Sequence, residues 1–218
     1  MHAIPPHCGK GLRRVFIGAA LFGALPGTAS AYTATLTPAS PKTVYLQVGV
    51  GSFTANYDAG GQPQNNTTIN TVSATVAAAV VGNGTAQPMT TDSTATQSFW
   101  DGFTYCSVPG QVYIGGFYRT TGGATAAALV TATVPATLTN ATGSTIPFSK
   151  ISWTSSGNAD TGAEPFPAST FVNGAVQNVG SMSSNTWNES CLTFSYANNT
   201  VPAAGTFTGV VRYTLSSP

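Results

Sequence analysis

Charged side chains are scarce in this sequence. Only 6% of its 218 residues are Asp, Glu, Lys or Arg, whereas an ordinary soluble domain has about 25%. Small uncharged residues, mainly Thr, Ser, Asn, Gly and Ala, take their place. Because hydrophobic residues still make up 42% of the chain, the composition argues against disorder. The sequence also lacks the basic surface that a phosphate backbone requires, which argues against nucleic acid as a partner.

No apolar run in the sequence is long enough to span a bilayer, and the longest one is part of a recognisable N-terminal pattern. A basic stretch at 10–14 precedes an apolar segment at 15–25, and Ala-Ser-Ala follows at 29–31. These are the three parts of a secretory signal peptide, so we predict a signal at 1–31 and one mature domain at 32–218. The apolar run is about half the length that a bilayer span needs, so no transmembrane anchor is predicted. The Arg13-Arg14 pair leaves twin-arginine export open beside the general secretory route.

Histidine is absent from the predicted mature chain, because His2 and His7 both lie within the signal. A Ser-His-Asp or Cys-His catalytic arrangement and most zinc sites therefore cannot be built from it. The mature charges reduce to four basic and six acidic residues. We accordingly predict no metal, no cofactor and no enzymatic activity.

Cysteine is rare, with three residues in the chain and one of them, Cys8, in the predicted signal. The remaining pair, Cys106 and Cys191, is an even count in an exported protein, which predicts one disulfide. A metal site or a nucleophilic thiol is the weaker interpretation, since no histidine is available as a partner.

Glycine and proline interrupt the sequence throughout, with 24 Gly and 14 Pro, and no stretch of the mature chain keeps a helical period. Short alternating segments lie between these interruptions, which predicts an all-β, Ig-like antiparallel β-sandwich of about eight to ten short strands. We expect one such strand over 69–81 and a core strand over 111–120. Gly115-Gly116 within the latter indicates a bulge or a close backbone approach. The last 14 residues, 205–218, are predicted to contain the closing strand.

Aromatic and acidic residues leave two further functions open. Trp100 and Trp187 are candidates for glycan contact, although tryptophan in a small sandwich is more often a core residue. Asp101 and Glu189 each lie close to one of these tryptophans in sequence. A glycosidase needs only two carboxylates, so such a pair keeps that class available. The simpler interpretation is that both acids accept hydrogen bonds in turns.

The C-terminal stretch carries a family resemblance. It begins at a glycine and continues with apolar residues on one face of a predicted strand: Gly205, Phe207, Val211, Tyr213 and Leu215. Together with the signal, the single cysteine pair and the low charge, this pattern resembles bacterial chaperone-usher pilins and related spore-coat-like secreted fimbrial proteins. The resemblance implies an incomplete sandwich that a strand from another subunit completes, with a periplasmic chaperone holding the apolar face. The N-terminal donor segment of that family would correspond to Tyr32, Ala34 and Leu36.

We therefore expect a bacterial protein that is secreted, periplasmic or on the cell surface, with a structural or adhesive role. Its specific form would be a pilus or fibre subunit assembled by strand addition, with like subunits or a chaperone as partners. The alternative is a monomeric β-sandwich module that binds carbohydrate or another ligand, and a carboxylate-only glycoside hydrolase ranks third. Whether the last strand pairs within the chain or with another chain stays open at this point.

Overall fold

The fold is taken from a computed structural model that describes residues 34–54, 62–64, 66–121, 126–157 and 164–218. The predicted signal peptide lies outside these residues. The strands in chain order are β1 (Ala34–Thr35), β2 (Thr43–Val48), β3 (Phe53–Thr54), β4 (Gln62–Pro63), β5 (Val72–Ser73), β6 (Gln87–Pro88), β7 (Thr90–Thr91), β8 (Val112–Arg119), β9 (Ala128–Thr133), β10 (Thr137–Thr139), β11 (Thr145–Pro147), β12 (Ile151–Ser156), β13 (Ser169–Thr170), β14 (Val176–Met182), β15 (Thr186–Tyr196) and β16 (Arg212–Ser216). A short 3-10 helix, Phe148–Lys150, is the sole helical element among the described residues.

Two antiparallel sheets make up the body of the protein. The larger has the order β13-β12-β15-β8-β2, with β1 and β6 also paired to β15. The smaller has the order β14-β9-β16. The described part of the chain is thus all-β and sandwich-like, as the sequence predicts, and among these residues no helix is long and apolar enough to cross a membrane.

The main core lies between the two sheets. Val130 of β9 and Met182 of β14 project from the smaller sheet and are fully buried. They pack in one cluster with Ile114, Trp153 and Leu192 of the larger sheet. Because side chains alternate across a strand, each of these residues has neighbours that point away from the core. The gap between Ile114, Trp153 and Leu192 of the larger sheet and Val179 and Tyr213 of the smaller one leaves no room for a water molecule.

The larger sheet is covered on its other face as well, so β8 is buried along its whole length. Residues 93–106, which we call the cover, pack over this outer face. The cover and residues 34–36 contribute to two smaller clusters built on aromatic side chains of β2, β8 and β15. A strand buried on both faces lacks the apolar and polar alternation of a half-exposed one, which matches the nearly continuous apolar sequence of β8.

The paired glycines of β8 serve a close backbone approach. Pairing of β8 with β2 runs through Gly115 and Gly116 in unbroken register, so no bulge occurs there. A Cβ on Gly116 would collide with the carbonyl oxygen of Tyr45 on β2. Of the two interpretations of the glycine pair, close approach is therefore the one observed.

The predicted strand over 69–81 is wrong for most of its length. Only β5, two residues long, pairs there, and residues 77–84 form turns. The amides of Val80 and Val81 both donate to the carbonyl oxygen of Ala77. Asn198, which is fully buried, accepts from the Gly82 amide at 2.9 Å and donates to the carbonyl oxygen of Val80 at 3.0 Å. This distant asparagine fixes the turn, and local alternation could not reveal it.

Candidate functional site

The last strand, β16, is an edge of the smaller sheet. It pairs with β9 from Arg212 opposite Thr133 to Ser216 opposite Leu129. No strand among the described residues pairs with its other side. Alternate backbone N–H and C=O groups on that side therefore face outward with no ladder partner in the described part of the chain, which makes the edge a template for another strand.

The strand is shorter than its sequence pattern predicts. Residues 206–211 precede β16 and pair only at one bridge, Thr139 with Thr208. Gly209 lies directly over the ring of Phe148, where an added Cβ would collide with it. Gly209 is exposed and lies outside any strand, with its backbone close to Phe148, before β16 begins.

The apolar face of the C-terminal stretch is half-buried. Phe207, Val211, Tyr213 and Leu215 all pack against the main core and stay partly exposed. Burial also raises the pKa of the Tyr213 hydroxyl. Gly205, in contrast, is exposed and has a positive φ of 140°. The C-terminal strand thus closes the sandwich within its own chain while its outer edge stays open.

A second edge lies beside β16 on the same side of the sandwich. Strand β2 forms the end of the larger sheet and contacts β16, and Leu46 and Val48 of β2 are also only partly buried against the core. The side chain of Lys42 donates to the backbone oxygen of Pro218. This hydrogen bond joins the start of β2 to the C-terminus, and we call the side formed by β2 and β16 the open side.

The opposite side of the sandwich is obstructed. Strand β14 is bulged between Asn178 and Gly180, and the Ser181 amide donates to the carbonyl oxygen of Pro165 at 3.1 Å. The side-chain amide of Gln177 donates to the carbonyl oxygen of Thr170 at 2.9 Å, which links β14 to the short β13 of the larger sheet. Bulges and covering loops are devices that prevent edge pairing.

The N-terminal residues that the family resemblance assigns to a donor strand are used within the chain. Ala34 of β1 lies opposite Trp187 of β15, and the Leu36 amide donates to the carbonyl oxygen of Asn185 at 2.8 Å. The Leu36 side chain is only 1% exposed. Tyr32 lies outside the described residues. In this structure the segment completes the chain's own aromatic cluster.

The two tryptophans proposed for glycan contact lie together. The rings of Trp100 and Trp187 stack with centroids 6.4 Å apart. Trp187 is buried at 7% exposure beneath the cover, and Trp100 is half-buried. Phe103, which is not one of the residues predicted for glycan contact, is 48% exposed at the tip of the cover. The aromatic surface offered to a ligand here is therefore small.

Glu189 lies under the cover among aromatic side chains. One of its carboxylate oxygens, Oε2, accepts from the Trp187 ring nitrogen at 2.6 Å and from the Tyr113 hydroxyl at 2.7 Å. Burial raises the pKa of this carboxyl group, although hydrogen bonds from Trp187, Tyr113 and Ser98 oppose the rise. The negative charge of Asp101 raises it further.

Two further acids, Asp101 and Glu164, accept hydrogen bonds from the chain itself. Asp101 accepts from the Phe103 amide at 2.9 Å in the turn of the cover. Glu164 accepts from the Ser190 hydroxyl at 2.9 Å, while Asp160 lies outside the described residues. No group of three His, Cys, Asp or Glu side chains able to hold a metal occurs in the described part of the chain.

The two cysteines lie at bonding distance, as predicted. Cys106 at the end of the cover is joined to Cys191 of β15 with Cα atoms 5.5 Å apart. Both residues are buried and share a cluster with Tyr113. The bond therefore attaches the cover to the outer face of the larger sheet. Sequence spacing could pair the cysteines but could not show that a loop covers this face.

Comparison with known protein families, with curated proteins and with solved structures finds no match to this chain. The likeness to chaperone-usher pilins consequently stays a prediction from the sequence.

Proposed function

We propose that this chain is an exported structural or adhesive protein, without catalytic activity, that associates through the edge of β16. The observation that carries the proposal is the one-sided pairing of β16, whose outer N–H and C=O groups face away from β9. Strand addition to such an edge is a common mode of protein recognition. The half-buried Tyr213 and Leu215 beside it would gain further cover from an added strand.

Association is assigned to β16 and not to exchange of an N-terminal donor strand. Ala34 and Leu36 are already buried in their own chain, so releasing them would expose Trp187 and its aromatic neighbours. Transfer of apolar surface to water costs about 25 cal/mol per Å². Edge pairing at β16 requires no such release.

Binding of carbohydrate ranks second. Trp187 is buried under Trp100, and both donors to Glu189 Oε2 belong to the protein itself. A sugar platform normally presents an open aromatic face, whereas among the aromatic residues of the cover Phe103 alone is exposed, and Phe99, Trp100 and Tyr105 are half-buried. This arrangement also gives the glycosidase interpretation little support.

Expression of the full chain in a Gram-negative host tests the proposal. We expect the exported protein to begin at Tyr32 and to have a mass above that of one mature chain in light scattering at high concentration. A chain that keeps its N-terminal segment in the cytoplasm would contradict export. An exported chain that stays monomeric at every concentration would contradict association.

A further inference from the structure

We propose that two copies of this protein pair β16 to β16 across a two-fold axis, giving a closed dimer and not a fibre. This inference rests on the proposed association and names its partner and geometry. The product would be a continuous six-stranded sheet with the order β14-β9-β16 in one copy followed by β16-β9-β14 in the other.

The distribution of open edges determines the symmetry. The two unobstructed edge strands, β2 and β16, are next to each other on the same side of the sandwich. On the other side β14 is bulged and is covered by Pro165 through the Ser181 amide, and β13 has only two residues. Head-to-tail addition of β16 to β14 of the next copy is therefore blocked. A surface that can pair only with itself forms an isologous, closed contact.

Two copies of β16 can pair antiparallel along their full length in only one register. With the axis at Thr214, all five residues of Arg212–Ser216 pair, and any register shifted along the strand pairs fewer of them. Tyr213 then lies opposite Leu215 of the partner copy, on the core side. Arg212 lies opposite Ser216 of the partner copy, so the two arginines are at opposite ends of the ladder. This arrangement avoids facing like charges, which destabilise a strand pair.

The outer face of the smaller sheet is compatible with this pairing. Its exposed positions on β16 are Arg212, Thr214 and Ser216, and the neighbouring Thr133 of β9 is also exposed. The charges near this edge are Arg212 on β16 and Lys42, which donates to Pro218. In the register above Arg212 faces Ser216 of the partner copy, which limits repulsion along the ladder. Five paired residues per copy bury less than the roughly 800 Å² per partner of a standard interface. We therefore expect a dissociation constant of about 1 to 100 µM.

Placing a charged residue at the two-fold axis tests the register directly. Thr214→Lys places two lysines opposite each other in the dimer. It should raise the dissociation constant about fivefold, which is the upper end of the range expected for one unfavourable cross-strand pair. Thr214→Glu should do the same. An equimolar mixture of the two variants should restore the dimer, because lysine then faces glutamate. Ser181→Lys, on the same face but two strands away from the edge and opposite the uncharged Leu129, is the matched control and should leave the dimer unchanged.

Sedimentation velocity from about 1 to 100 µM separates the outcomes, with circular dichroism verifying that each variant is folded. Dimers that weaken in both single variants and recover in the mixture support the proposal. Dimers with equal affinity in the wild type and both variants would overturn the β16 pairing. Long polymers would overturn the closed dimer while leaving the proposed associating function intact. Monomers throughout the range would contradict both.

Discussion

The bond between Cys106 and Cys191 offers the most quantitative prediction. It closes a loop with a sequence separation of 85 residues. In the chain-entropy account, closing such a loop lowers the entropy of the unfolded chain enough to stabilise the fold by about 4.5 kcal/mol at 25 °C. Domains of this size are usually stable by only about 5–15 kcal/mol. Reduction should therefore remove a large part of the free energy of unfolding.

The assay is urea unfolding of the mature protein, followed by tryptophan emission, with and without reductant. For a slope of about 2 kcal/mol per M, the midpoint should fall by about 2 M on reduction. A Cys106→Ala/Cys191→Ala double variant provides the control, because it should resemble the reduced protein and should not respond to reductant. Emission from Trp100 and Trp187 should also report loosening of the cover, since their stacked rings join the cover to β15.

Equal midpoints for the oxidised and reduced proteins would refute the reasoning. That result would mean that the cover keeps its contacts in the reduced protein and that the unfolded chain gains no freedom when the bond is cut. A lower midpoint, combined with a folded-state emission spectrum that does not change on reduction, would instead mean that the bond stabilises a part of the protein other than the cover.

Three further substitutions test other parts of the structure. Burial raises the pKa of Glu189 above its ordinary 4.5, so the stability that this group contributes is present at low pH and lost as the pH rises through its folded pKa. In urea unfolding from about pH 4 to 7, Glu189→Gln should therefore lose less stability on raising the pH than the wild type does. Asn198→Ala removes the bond accepted from Gly82 and a side-chain NH2 group whose two N–H donors serve acceptors on Val80, Asn83 and Thr85. It should lower the free energy of unfolding by about 2–4 kcal/mol; an unchanged denaturation midpoint would contradict this role. Gly116→Ala forces a methyl group against the Tyr45 carbonyl and should reduce soluble yield or stability far more than Gly143→Ala, whose added Cβ meets open space although its φ is also positive.

The sequence was sufficient to predict the fold class because the deciding signals are local. Frequent glycine and proline, together with short alternating segments, exclude long helices and favour paired strands. The cysteine pair was also predictable, since an exported chain with two remaining cysteines allows one bond. Neither inference depends on knowing which strands are neighbours.

The cover and the turn at 77–84 could not be predicted, because distant contacts determine them. The cover is recognisable only once Cys106, Phe99 and Trp100 lie against β8 and β15. The turn is held by Asn198, more than 100 residues away in sequence. Alternation at 69–81 therefore predicted a strand where long-range hydrogen bonds impose a turn.

The C-terminal stretch shows both the reach and the limit of sequence pattern. Period-two alternation correctly indicated a strand ending near the C-terminus, with Tyr213 and Leu215 facing the core. It also implied that the strand follows soon after Gly205, whereas β16 begins only at Arg212 and residues 206–211 pair at the single bridge of Thr208 with Thr139. No local pattern can state which side of β16 is paired, since that depends on where β9 lies.

Hydrogen exchange at β16 as a function of protein concentration tests the central claim most directly. In dilute monomer, the amides of Arg212–Ser216 that face away from β9 should exchange rapidly, while those paired with β9 stay protected. Raising the concentration through the range of dimer formation should slow the outward-facing amides and leave the others unchanged. Outward-facing amides that exchange at the same rate at every concentration would contradict association through this edge.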